Sequence, residues 1–178
     1  MIKYNKLLIL VIMSLYSVVV QAHDPKIYSS IISKQNDEWT LKFSIGTSAI
    51  VNAMRAYYKD KDLVLDQSEV CKAKIHQYFV QHIDISINKH FKVTPKMIGS
   101  MLITDHACEV LFELEGMPVF TKYWDLKIDV CNENEDQSNF VKIREEDRSW
   151  TYHLKSETGF RLVLMKDEQN QYHEVNHN

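Results

Sequence analysis

The chain has 178 residues, with 21 basic, 24 acidic and 8 histidine side chains and a formal net charge of −3. That near-balance, with no basic stripe carrying interleaved aromatics, argues against a nucleic-acid partner. Four glycines and three prolines argue against disorder and glycine-rich phosphate loops, and the length suits one domain around one core.

In chain order, the first 22 residues read as a secretory signal. Lys3 and Lys6 give a positive start, Leu7 to Val20 is apolar apart from two serines, and Val20 and Ala22 fill the small-residue cleavage positions. As a helix that apolar run spans only about 21 Å, short of a ~30 Å hydrocarbon core. Cleavage would therefore release a periplasmic or secreted chain beginning at His23, with no transmembrane segment after it. Without Lys3 and Lys6, 19 basic residues face 24 acidic ones, a net of −5.

From residue 27 the pattern is strand-like. Ile27, Ser29, Ile31 and Ser33 form one row, Gln35 to Glu38 turns, and Trp39, Leu41, Phe43 and Ile45 share a buried face. Helical spacing begins at Ser48 (SAIVNAMRAYY). A second helix starts after Asp66, with Glu69 three residues on as a capping box, and its apolar face runs to about residue 82. Beyond it, Ile83-Ile85-Ile87, Phe91-Val93, Met101 to Ile103, Cys108 to Leu114, Leu126 to Val130, Phe140 to Ile143, Trp150 to Leu154 and Phe160 to Leu164 read as short strands. Asn88-Lys89 and Gly116-Met117-Pro118 interrupt them. The expected fold is mainly β (α+β). It is a β-sandwich or partly open barrel over residues 23–165, with a helix-loop-helix insertion at about 48–82 and a polar tail at 166–178.

Three cysteines, Cys71, Cys108 and Cys131, permit one disulfide in an exported protein. Cys108 with Cys131 is the expected pair, since both fall in strand-like segments; the alternative is three buried thiols acting as small hydrophobes.

Three stretches have metal-ligand character. His23, with its amine free, offers two nitrogens to copper(II), and His106 or His153 would complete a three-nitrogen set. Alternatively, cleavage merely exposes a polar residue there. The interhelix loop places Asp60, Asp62, Asp66 and Glu69 at positions 3, 5, 9 and 12 of an EF-hand. Tyr58 stands at position 1 and Leu63 at the position 6 glycine, so calcium binding would be weak. His173-Glu174-Val175-Asn176-His177 spells H-E-x-x-H, but no third ligand follows and the context is that of a solvated tail. No serine or cysteine lies in a nucleophile motif, and Glu145-Glu146 and Glu133-Glu135 read as solvated loop charge. No enzymatic activity is expected.

The Ala22-His23 junction, the helix-acidic loop-helix and the segments IHQYFVQHIDISIN and MLITDHACEVLFELEG together resemble a known arrangement. It is the extracytoplasmic N-terminal domain in relatives of the hydrogenase/urease nickel-accessory membrane proteins. The chain also looks like small secreted bacterial proteins of uncharacterised families. The resemblance implies an exported fold, and no transport activity, because no membrane helices follow. The expected role is a non-enzymatic domain binding a protein or envelope partner. The alternative is a periplasmic metal-binding or metal-delivery protein, through copper at His23 or a degenerate calcium loop.

Overall fold

Asn36 and Asp37 both take positive φ (48° and 66°), the backbone of a two-residue turn whose twist matches its flanking strands. Ile27–Gln35 (β1) and Glu38–Gly46 (β2) accordingly form the expected hairpin. The protein is described here from a computed structural model over residues 27–99, 101–135 and 137–175. The segment expected to be a signal and His23 lie outside those residues.

Thr47–Tyr58 (α1) buries Ala49, Ile50, Ala53 and Met54 and ends at Lys59 in the left-handed region. Glu69–Gln81 (α2) buries Cys71, Ile75, Tyr78 and Phe79. Its cap is Ser68, whose Oγ accepts the Cys71 N–H at 3.2 Å. This corrects the expectation that Asp66 caps the helix. Asp66 instead accepts the Ser68 N–H and hydroxyl and so fixes the residue that does the capping.

The remaining strands are Ile83–Ile87 (β3), Phe91–Met97 (β4), Leu102–Ile103 (β5), Ala107–Glu115 (β6), Tyr123–Ile128 (β7), Ser138–Glu145 (β8), Arg148–Leu154 (β9), Arg161–Lys166 (β10) and Tyr172–Glu174 (β11). They form one sheet in the order β11-β10-β7-β3-β4-β6-β2-β1-β8-β9, with β5 attached to β6. Every pairing among the described residues is antiparallel except β1 with β8, where Ile27 stands opposite Ser138 and Lys34 opposite Glu145. The sheet curls into a nearly closed barrel with a short helical insertion, the barrel rather than the sandwich of the two expected architectures.

No ladder joins the end strands β9 and β11 among the described residues. Side chains bridge them instead. Tyr152 OH donates to the Tyr172 carbonyl at 2.8 Å, Trp150 Nε1 to Gln171 Oε1 at 3.0 Å, and Arg148 to the carbonyls of Gln169 and Asn170.

The two helices plug one end of the barrel. Phe79 of α2 meets Phe43 (centroids 4.8 Å apart) and Phe112 (5.6 Å) from the strands. All three are fully buried, and each such ring contributes roughly 1.5–3 kcal/mol by leaving water. Nearer the other end, Trp39, Trp124, Tyr172 and Trp150 form an edge-to-face series.

The structure fixes which face of β1 is buried and corrects two expectations. On β1 the row Ile27-Ser29-Ile31-Ser33 faces outward, and Tyr28, Ser30 and Ile32 face the core. The supposed tail carries β11, because Tyr172 is buried (4% exposed) and anchors the segment to β10. The three cysteines are buried free thiols, with Cys131 in a turn at φ 60° rather than on a strand.

Candidate functional site

Among the described residues, those expected to bind metal are not gathered into one centre. Tyr58, at position 1 of the EF-hand-like loop, donates its hydroxyl to the Lys74 carbonyl at 2.7 Å. Leu63, at the position that needs a sharp glycine turn, is 6% exposed and part of the core. Asp60 accepts the Asp62 N–H and faces Lys74 at 3.7 Å, Asp66 serves Ser68, and Glu69 pairs with Lys72 at 2.8 Å. The Ser68 hydrogen bonds hold the Asp66 carboxyl below its usual range. The loop carboxylates thus build the interhelix turn.

His106 sits exposed before β6, and His153 stacks on Phe140 four strands away in the sheet order. His173 and Glu174 lie on a strand, which removes the helical spacing that H-E-x-x-H chemistry requires. His177 and the opening His23 lie outside the described residues. Among the described residues, no group of three or more His, Cys, Asp or Glu side chains is arranged to hold a metal ion.

A polar cluster beside the helical plug contains the first of the carboxylates expected to be solvated. His82, at the end of α2, bonds Asp129 through Nδ1 at 2.9 Å, and its Nε2 lies 3.6 Å from Glu133. Tyr78 OH donates to Glu133 at 2.8 Å and accepts the Cys131 N–H at 2.8 Å. Burial would raise the Asp129 carboxyl, but the hydrogen bonds from His82 and Lys127 outweigh it and hold the group low. Burial pushes the Cys131 thiol upward, and Cys108 to about 12, so neither is a ready nucleophile. The cluster fastens the end of α2 to the segment leaving β7.

At the end opposite the helices, the turns surround a cavity of about 540 Å³. Trp39 and Lys34 come from the β1–β2 hairpin, Glu145 and Glu146 from the end of β8, Val119 to Lys122 from the loop entering β7, and Lys166 to Glu168 from the end of β10. At its floor, the Glu145 carboxylate accepts from Lys166 Nζ (2.6 Å), Tyr172 OH (2.6 Å) and Thr121 Oγ1 (2.9 Å). Trp124 Nε1 donates to Tyr172 OH at 2.9 Å, and Lys166 lies over the Tyr172 ring at 4.5 Å. Burial and the Glu145 bond raise the Tyr172 hydroxyl, which stays protonated as a donor. Glu145 is therefore the second correction to the solvated-charge reading: its side chain is 17% exposed because β8 ends by pointing it into the barrel.

Beside this polar floor, Val119 and Phe120 stand 77% and 81% exposed. Asn88, in the β3–β4 turn at φ 50°, holds their loop in place. Its Nδ2 donates to the Phe120 carbonyl at 2.7 Å, and its Oδ1 accepts the N–H groups of Lys122 and Tyr123. Two adjacent large apolar side chains on a fastened loop thus place exposed apolar surface at the rim of the cavity. The sequence carried one signal for them: Val-Phe directly after a Gly-Met-Pro break, where turn chemistry calls for polar residues. Neither a protein-family model nor a curated protein matches this chain.

Proposed function

We propose that this chain is an exported, non-enzymatic binding domain that engages a protein or envelope partner through the barrel mouth. The observation that carries the reading is the pair Val119-Phe120, exposed on a loop fastened by Asn88 at the rim of a cavity. Concave sites with an apolar wall and a few placed polar groups are the usual form of a binding site. Binding rather than turnover is supported by the floor, where Glu145, Lys166, Thr121 and Tyr172 satisfy one another and leave no base beside a nucleophile.

Export is part of the proposal and rests on the signal ending at Ala22. Mass spectrometry of the protein from its native host should give a chain starting at His23; an intact Met1 would overturn the address. The mouth is tested by placing a photo-crosslinking residue at position 119 in the host cell, with position 52 on α1 as the control at the plugged end. A discrete adduct at 119 and none at 52 is expected. Equal labelling at both positions would refute the mouth as the contact site.

The metal reading rests on the amine and imidazole of His23. A residue added ahead of His23 should then abolish a tight, stoichiometric copper(II) site, as should His23→Ala. Titration of the processed protein with copper(II) decides between this and a merely exposed histidine.

A further inference from the structure

We infer that the occupant of the mouth is an extended peptide segment of another protein. It inserts one aromatic or large aliphatic side chain between Trp39 and Phe120 and carries charges of both signs beside that anchor. This rests on the mouth being the binding site and goes further by choosing its ligand.

The rim charges decide between a peptide and a bilayer. Lys166 is neutralised by Glu145, Lys34 pairs with Asp37 at 3.0 Å, and Asp167 pairs with His173 at 2.6 Å. Among the described residues, no ion pair holds Lys122, Glu146 or Glu168. Outside the lysine–carboxylate pairs, the rim thus carries one cation, Lys122, and three carboxylates, Glu146, Asp167 and Glu168, with Asp167 hydrogen-bonded to the His173 imidazole. An anionic bilayer draws in clustered lysine and arginine and repels carboxylates at the same edge. A peptide answers such a rim directly, with an acidic residue against Lys122 and a basic one against Glu146 or Glu168.

Shape points the same way. Val119 and Phe120 flank a concavity, which a flat membrane surface would bridge without filling. A side chain with Trp39 beneath it and Phe120 beside it would be enclosed on two faces, the setting in which aromatic anchors carry most of a peptide's affinity. The one carboxylate and the one ammonium of the floor are already paired with each other, and the carboxylate also accepts from Tyr172 and Thr121, so the floor offers no unpaired charge to a buried ligand charge. The anchor should accordingly be apolar, with its charges outside at the rim.

A random peptide library displayed on phage and selected against the mature protein supplies the probe, with winning peptides resynthesised and titrated by fluorescence polarisation. Vesicles of phosphatidylethanolamine and phosphatidylglycerol form the second arm. Selected peptides should share an aromatic, Leu or Met anchor flanked by both signs of charge. Their affinity should fall about tenfold or more in Phe120→Ala, and less in Lys122→Ala, with unchanged circular dichroism and no vesicle co-sedimentation. Vesicle binding lost in Phe120→Ala would overturn the peptide while leaving the mouth as the binding site. Peptide affinity indifferent to Phe120→Ala would overturn both the occupant and the mouth. Failure to enrich any peptide would overturn the occupant.

Discussion

Replacing Glu145 with glutamine separates charge from shape at the barrel's polar floor. Glutamine keeps an oxygen for Tyr172 and Thr121 but turns an NH₂ group toward Lys166, so the ion pair is what disappears. The Lys166 and Glu145 side chains are 16% and 17% exposed, which places their 2.6 Å contact among partly buried pairs. Breaking a buried pair by removing one partner costs about 3–5 kcal/mol, because the survivor is left charged and poorly solvated. Lys166 keeps its position over the Tyr172 ring, worth about 1 kcal/mol, and some water. The expected loss is therefore about 3 kcal/mol, at the low end of that range. For a chain of this size it corresponds to a Tm lower by about 6–12 °C. Urea unfolding of Glu145→Gln, Lys166→Met and the double variant measures it, and the cycle should return a coupling of about 2 kcal/mol. The loss should persist at high salt, because a pair removed from water is weakly screened. A change within about 0.5 kcal/mol for Glu145→Gln, the size of a surface substitution, would refute the reasoning.

Asp129 gives a pH dependence with a definite sign. Its carboxyl is held below the ordinary value of 3.8, so its stabilisation is present above that value and is lost as pH falls through the folded-state pKa. Urea midpoints measured from neutral to acid pH should show Asp129→Asn less stable near pH 7, with the gap closing at the acid end; a constant gap would count against the assignment. Ser68→Ala should cost about 1 kcal/mol by removing the cap of α2, while Asp66→Ala should lower the urea midpoint less, and the reverse order would return the cap to Asp66. Phe79→Ala should cost about 3–5 kcal/mol, since its ring fills the junction of plug and barrel; a loss below about 1 kcal/mol would mean the helices rest on the barrel without packing into it.

Local pattern made much of this fold legible. Alternation along Trp39-Leu41-Phe43-Ile45 and Cys108-Val110-Phe112-Leu114 is read correctly because each strand has one face in the core. On β1 the apolar residues Ile27 and Ile31 compete with Tyr28 and Ile32, and two nearly equal rows leave the choice to tertiary pairing. Strand order was not legible, because β1 chooses β8 across more than a hundred residues by a fit no local window contains. The mouth escaped notice for a similar reason: four separate segments, distant in sequence, each contribute two to four residues. Glu145 looked like solvated charge because Glu146, Asp147 and Arg148 follow it, and only the inward direction of the last residue of β8 distinguishes it. One buried tyrosine among polar neighbours was likewise too little to mark β11 as a strand.

The parallel pairing of β1 with β8 has a consequence for how the molecule comes to exist. A chain made from its N-terminus exposes the β1–β2 hairpin first, yet the strand that covers the outer edge of β1 begins only at Ser138. Until then β1 presents open backbone groups, the usual template for pairing with the wrong chain. Such distant pairing implies a high contact order and folding in the millisecond-to-second regime rather than the microsecond one. A chain stopped before residue 138 should consequently aggregate or need a chaperone, even though it already contains both helices and seven strands.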